Sequence, residues 1–147
     1  MEKQIAHGLV EFTVFGNPVP KARPRVVNGH AYTPEKTSVQ EQKIALVYRS
    51  KCHGFKFEKG VPIKLEADFF VKIPESASKK KKADMLSGEI RPVGRIGDVD
   101  NLLKTVTDAG NGVFYADDAQ IVEMTGRRFY SDVPRTEIRI ERIGREE

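Results

Sequence analysis

The clearest periodicity in the chain runs over residues 63–73. Ile63, Leu65, Ala67, Phe69, Val71 and Ile73 fall on one side, and Lys64, Glu66, Asp68 and Lys72 on the other. This alternation predicts a strand with one buried face, ended by Pro74. Phe70 is the apolar exception on the polar side and a candidate contact for a partner subunit or a base. Residues 9–15 alternate in the same way, with Val10, Phe12 and Val14 together. Two more strands are expected over 119–130 and 136–143, joined by the turn Ser131-Asp132-Val133-Pro134, with Ile138 and Ile140 on the inner face of the last one.

Three segments carry helical signals. Thr33-Pro34-Glu35 reads as a helix start, Thr33 as N-cap and Pro34 at the first helical position. The helix is expected to reach about Arg49 with Ile44 and Val47 inward, and Gly54 and Gly60 bracket the turn that follows. Ser76 or Ser78 caps a short lysine-rich helix reaching Met85 and Leu86 and closed by Gly88. Residues 100–112 form an amphipathic helix with Leu103, Val106 and Gly110 on one side. Residues 16–25 hold three prolines and three basic residues, which predicts an ordered, extended loop. The order β-α-β-α-α-β-β predicts a single α+β domain spanning residues 1–147, a mixed β-sheet with helices packed on it.

Composition narrows the class without defining it. At 147 residues, with 39% hydrophobic and 31% charged positions, the chain suits one globular domain. No apolar run approaches the ~20 residues of a membrane helix, and the N-terminus has no signal-peptide core, so a cytoplasmic protein is expected. A single cysteine, Cys52, excludes an internal disulfide and a cysteine zinc site. The formal charge of +4 is modest, but its distribution matters more. Lys21, Arg23 and Arg25 lie in an acid-free stretch, and Lys79, Lys80, Lys81 and Lys82 are consecutive. Arg91 and Arg95 lead into an acidic motif, and Arg127 and Arg128 follow it. Positive clusters around one acidic focus suit a polyanion held against that focus, although each alone also reads as a solvated loop or helix face.

That focus is Gly97-Asp98-Val99-Asp100-Asn101-Leu102-Leu103-Lys104 with the later pair Asp117-Asp118. Asp98 and Asp100 stand two apart just before a helix, so both carboxylates can reach one ion, and hard oxygen ligands of this kind suit Mg²⁺ or Mn²⁺. Asp117 and Asp118 complete the site if residues 112–118 return extended along the helix. If those residues are compact, the second pair has to come from another subunit, or the proposal fails. Lys104, one turn after Asp100, pairs with it or neutralises charge on a scissile phosphate. The plain alternatives are a helix cap for Asp100 and a turn for Asp117-Asp118. Leu102 and Leu103 stand where an EF-hand needs oxygen ligands and glycine, which excludes that loop. His7, His30 and His53 are too scattered for a histidine site, and the chain is too short for an Asp-x-Asp glycosyltransferase.

The sequence resembles the RusA family of Holliday junction resolvases, small endonucleases of bacteria and their prophages. The likeness rests on Asp98-Val99-Asp100-Asn101-Leu102-Leu103-Lys104, Thr107-Asp108-Ala109, Asn111-Gly112-Val113 and Tyr115-Ala116-Asp117-Asp118-Ala119-Gln120-Ile121-Val122. Upstream, Pro18-Val19-Pro20-Lys21-Ala22-Arg23-Pro24-Arg25 and the lysine-rich helix are similar to the phage-type branch. Gly110 departs from the pattern, since relatives usually carry an apolar residue there. The resemblance implies a homodimer that binds four-way junction DNA and nicks paired strands with Mg²⁺ or Mn²⁺, in recombination and repair. On the same basis Asp98, Asp100 and Asp118 hold metal, Lys104 assists, and Asp117 is an adjacent candidate ligand. The competing readings are a non-catalytic DNA-binding module with structural acidic caps and a metal-dependent phosphohydrolase of small nucleotides.

Overall fold

The computed structural model describes residues 8–22, 25–32 and 34–145, with backbone alone at 25, 31 and 32. The elements are β1 (Leu9–Phe15), β2 (Arg25–Val27), β3 (His30–Tyr32), α1 (Glu35–Lys51), β4 (Ile63–Lys72), α2 (Lys79–Ser87), α3 (Val99–Gly110), a 3-10 turn (Asp118–Gln120), β5 (Ile121–Ser131) and β6 (Arg135–Arg142). The main sheet has the order β1-β6-β4-β5. β6 is antiparallel to both β1 and β4, and β5 runs parallel to β4. The parallel pair requires a crossover, and α2 and α3 supply it.

Register explains why the alternation in β4 was so clear. Phe12, Ile138, Ala67 and Gly126 form one row across the sheet, and Val10, Ile140, Leu65 and Met124 the next. These rows face α1 and α3, and the first three members of each are buried. Phe12, Tyr48 and Phe114 pack ring to ring, with centroids 4.6–5.6 Å apart, and Cys52 is fully buried among the same core residues. A second small cluster, Val71, Ile73, Met85 and Tyr130, seats α2 against the far end of β4 and β5.

The open face is ionic. Arg127 pairs with Glu66 and Asp68, Arg139 with Glu11, Arg135 with Glu137, and Lys64 with Glu66 and Glu141. Phe70 stays on this face, stacked on Phe129 at 5.3 Å and covered by the Arg135 guanidinium at 3.9 Å.

Several boundaries move. α1 begins at Glu35, because Pro34 has ψ 142° and stands just outside the helix as its cap residue. Thr33 lies outside the described residues. Ser78 is confirmed as the cap of α2, accepting from Lys81 N, and Gly88 closes it at φ 87°. α3 ends at Gly110, two residues before Gly112. Residues 119 and 120 belong to the 3-10 turn rather than to β5. The β2–β3 hairpin was not expected. Its turn is Asn28-Gly29, with φ 51° and 79°, a left-handed pair that suits a tight hairpin. Its Val26 and Val27 are exposed, so no buried face wrote an alternating pattern into these three-residue strands. Among the described residues no helix is long and apolar enough to cross a membrane.

Candidate functional site

The acidic motif opens α3 through a strained approach. Gly94, Ile96 and Gly97 all have positive φ, and 55° is a costly conformation for a β-branched residue such as Ile96. A Cβ on Gly97 would lie 2.6 Å from Pro20 Cβ, so glycine lets the proline-rich loop seat directly on the motif. Lys21 N then donates to Asn101 O at 2.9 Å, tying that loop to the first turn of α3. Gly126 does the same from below: a Cβ there would meet Leu103 Cδ1 at 2.8 Å and Val99 Cγ2 at 2.9 Å. The N-terminal half of α3 is thus held between a loop and a strand.

Asp98, not Asp100, is the N-cap residue of α3, which corrects the assignment of the cap to Asp100. Its backbone is extended (φ −86°, ψ 156°), yet its carboxylate makes no capping hydrogen bond. Asp98 and Asp100 are both exposed, and among the described residues neither carboxylate takes part in an ion pair. Lys104 pairs in the opposite direction from the one expected, with Asp108 Oδ1 at 2.9 Å. Asp108 also receives Lys21 at 3.1 Å, and Lys21 reaches Glu41 at 3.2 Å. Burial pulls the Lys21 ammonium toward its neutral form, and the Asp108 and Glu41 carboxylates outweigh it, leaving its pKa above the ordinary lysine value. Lys21 therefore staples the loop, α1 and α3 together.

The second acidic pair sits at the other end of α3. Residues 111–118 are compact, not extended: Val113 N and Phe114 N both donate to Gly110 O at 2.8 Å, and Gly112 N to Tyr115 O at 2.9 Å. Asn111 Oδ1 accepts from Asp118 N at 3.1 Å, which fixes Asp118 beside the helix C-terminus. Twelve helical residues separate that point from Asp98, about 18 Å of rise. The expectation of an extended return is overturned, because these backbone bonds are made inside the turn. Among the described residues no three Asp, Glu, His or Cys side chains converge on one metal position. The donor chemistry suits a hard divalent ion, but among the described residues of one chain a three-carboxylate set is not assembled.

The two adjacent acids also part company. Asp117 accepts from Ala119 N at 2.8 Å in a capping box, with Gln120 Oε1 accepting from Asp117 N at 3.2 Å. Gln120 Nε2 is in turn bound by Glu58 O and Val61 O. Asp117 is a structural cap. Asp118 lines a cavity of about 240 Å³ with Thr107, Ile121, Val122, Glu123 and Met124. Glu123 in that cavity was missed by the sequence reading, because it looked like one polar position of a strand.

The basic residues divide similarly. Lys79, Lys80 and Lys81 are exposed and Lys82 half-buried on α2. Lys81 and Arg95 share one surface cleft with Ser76, Ser78 and Met85. Arg91 lies over the Phe129 ring at 4.0 Å. Arg23 and the side chain of Arg25 lie outside the described residues.

The fold is that of a single α+β domain that exposes Asp98 and Asp100 at the start of one helix and presents lysines on another, a pattern suited to DNA-directed hydrolysis. The model of the family "Endodeoxyribonuclease RusA" matches residues 16–141. The chain belongs to that family, whose members are endonucleases that resolve Holliday junctions. The match spans the proline-rich loop, both acidic segments and nearly all of β6. A protein of Bacillus subtilis (strain 168), described as "Uncharacterized protein YqaN", is 36% identical over 140 residues, covering 91% of this chain and 96% of that one.

Proposed function

We propose that the chain is a divalent-metal-dependent Holliday junction endonuclease that works as a homodimer, with each site built from two copies. The observation that carries this reading is the placement of acids at opposite ends of α3: Asp98 and Asp100 at its start, Asp118 beyond its end. A two-fold axis perpendicular to α3 sets two copies of the helix antiparallel. The start of one then meets the end of the other. Asp98 and Asp100 of one copy and Asp118 of the second would hold the ion.

When bound, Mg²⁺ or Mn²⁺ supplies an activated water and stabilises charge on the departing oxygen. The residues around it have separate tasks. Asp98 and Asp100 present carboxylates on a first turn held rigid by Gly97, Pro20 and Gly126. Lys104, more than half exposed, projects a positive charge from the next turn toward the incoming phosphate while Asp108 limits its swing. Lys79, Lys80, Lys81 and Arg95 bind DNA backbone phosphates that flank the one presented to the acids. Two equivalent sites suit the two equivalent strands of a junction, in recombination and repair.

Co-expressed, differently tagged Asp100→Asn and Asp118→Asn chains test the arrangement. Each homodimer should bind a four-way junction without nicking it. The heterodimer should recover nicking at one site only, because one of its sites carries both substitutions and the other neither. A dead heterodimer beside an active wild type places the three acids in one chain. A wild type that binds junctions with Mg²⁺ and never nicks leaves the non-catalytic DNA-binding module as the correct reading.

A further inference from the structure

Arg128 closes a row of the sheet that is otherwise core: Val14, Thr136, Phe69, Arg128. Its neighbours on the same face of β5 are Gly126, against which Val99 and Leu103 pack, and Tyr130, buried with Val71, Ile73 and Met85. Arg128 therefore lies beneath the segment that leads into Asp98, level with the start of α3. Its sequence neighbour Arg127 points the other way and is paired with Glu66 and Asp68. The Arg128 Nε and Nη2 atoms are buried and find no hydrogen-bond partner among the described residues.

A guanidinium with buried, unpaired donors is costly unless something supplies acceptors. Nε and Nη2 form one edge of the planar fork, two parallel donors whose spacing matches two oxygens of one oxyanion.

We infer that the Nε/Nη2 edge of Arg128, buried in the free protein, is uncovered when DNA binds and takes one backbone phosphate bidentately, beside the phosphate that faces Asp98 and Asp100. The two non-bridging oxygens of a phosphodiester supply the missing acceptors. The inference rests on the endonuclease reading for its choice of ligand. Arg128 acts as a positioning residue: it fixes the register of the strand against the acids and does no chemistry.

The test is binding of four-way junctions without divalent metal, so that it is read independently of cleavage. Wild type, Arg128→Met and Arg128→Lys are titrated across a range of salt, on junctions carrying single neutral methylphosphonates near the crossover. Arg128→Met should bind on the order of tenfold more weakly, and the slope of log K against log salt should fall by about 1. One methylphosphonate should weaken wild type and leave Arg128→Met indifferent. Arg128→Lys should recover the salt slope but only part of the affinity, having lost the fork. The free Arg128→Met protein should melt no lower than wild type, because a buried unpaired charge has been removed.

Unchanged affinity and slope, or no methylphosphonate position that separates the two proteins, overturns the assignment. A lower melting temperature with an unchanged slope means an internal partner and overturns it too. Weaker dimerisation with a flat phosphate scan would give the edge to a carboxylate of the second copy instead. Failure of the endonuclease reading would show separately, as a wild type that does not nick.

Discussion

Replacing Gly110 by leucine ought to stabilise a helix end, and here it should do the opposite. A Cβ at Gly110 would overlap three atoms of the Phe114 ring, each closer than a real Cβ contact permits. That ring is fully buried and cannot withdraw, with Tyr48 at 4.6 Å, Phe12 at 5.6 Å and Tyr115 at 5.7 Å between centroids. The helix term favours leucine by about 1 kcal/mol, and overpacking opposes it by about 3 kcal/mol. Gly110→Leu should therefore lose about 2 kcal/mol, lowering Tm by roughly 4–8 °C in a chain of this size.

Phe114→Ala alone should lose about 3–5 kcal/mol as a cavity opens. If the two positions were independent, the double variant would lose about 5–7 kcal/mol. Because the leucine side chain would enter the space the ring vacates, the double variant should instead lose about 2–3 kcal/mol. Urea melts of the four proteins measure this coupling directly. A double variant as unstable as the sum, or a Gly110→Leu protein more stable than wild type, would refute the packing argument. The ring of Phe114 occupies the volume that a side chain at position 110 would need.

Three other outcomes can be checked on the free protein or in simple assays. Asp117→Asn should lose about 1 kcal/mol of stability with nicking retained, whereas Asp118→Asn should keep its Tm and lose nicking by on the order of 10²-fold; the reverse pattern would exchange their roles. Lys21→Met should lose about 2 kcal/mol by leaving Glu41 unpaired, leaving Asp108 to Lys104 alone and cutting the link between the loop, α1 and α3. Since the Lys21 pKa is raised, its contribution is complete below the ordinary lysine value and is lost only above it, so urea melts at pH 6 and pH 9 should show the same loss. Cys52 is fully buried and its pKa is pushed up to about 11, so thiol reagents at pH 8 should label it only at the rate of unfolding. Rapid labelling of the native protein would show that the core around the end of α1 opens locally.

The chain by itself determined the four strands of the main sheet and the three helices, and offered the acids as candidates. β4 was legible because one face is buried along its whole length, and side-chain alternation records burial residue by residue. Ser78 and Gly88 marked α2 because caps are local chemistry. Asp98, Asp100 and the pair Asp117-Asp118 stood out because a local concentration of carboxylates inside a basic chain needs a reason, and only the family resemblance preferred Asp118 to Asp117. What the sequence left open was which atoms meet. Lys104 could reach Asp100 or Asp108 with equal ease along a helix, and in the fold it pairs with Asp108, where Lys21 and Glu41 also meet from two other elements. Asp117 and Asp118 are neighbours in sequence with opposite fates, since only the folded 3-10 turn spends one of them on Ala119 N.

The adjacent arginines divide in the same way, Arg127 to the ionic face and Arg128 to the helix side, because successive residues of a strand face opposite ways. The separation of the two acidic segments by the length of α3 was likewise invisible. Six residues can span that distance or curl, and the backbone hydrogen bonds around Gly110 and Tyr115 decide that they curl. Tertiary structure thus decided that Asp98 and Asp118 stand at opposite ends of α3, because the turn after the helix closes on its own backbone.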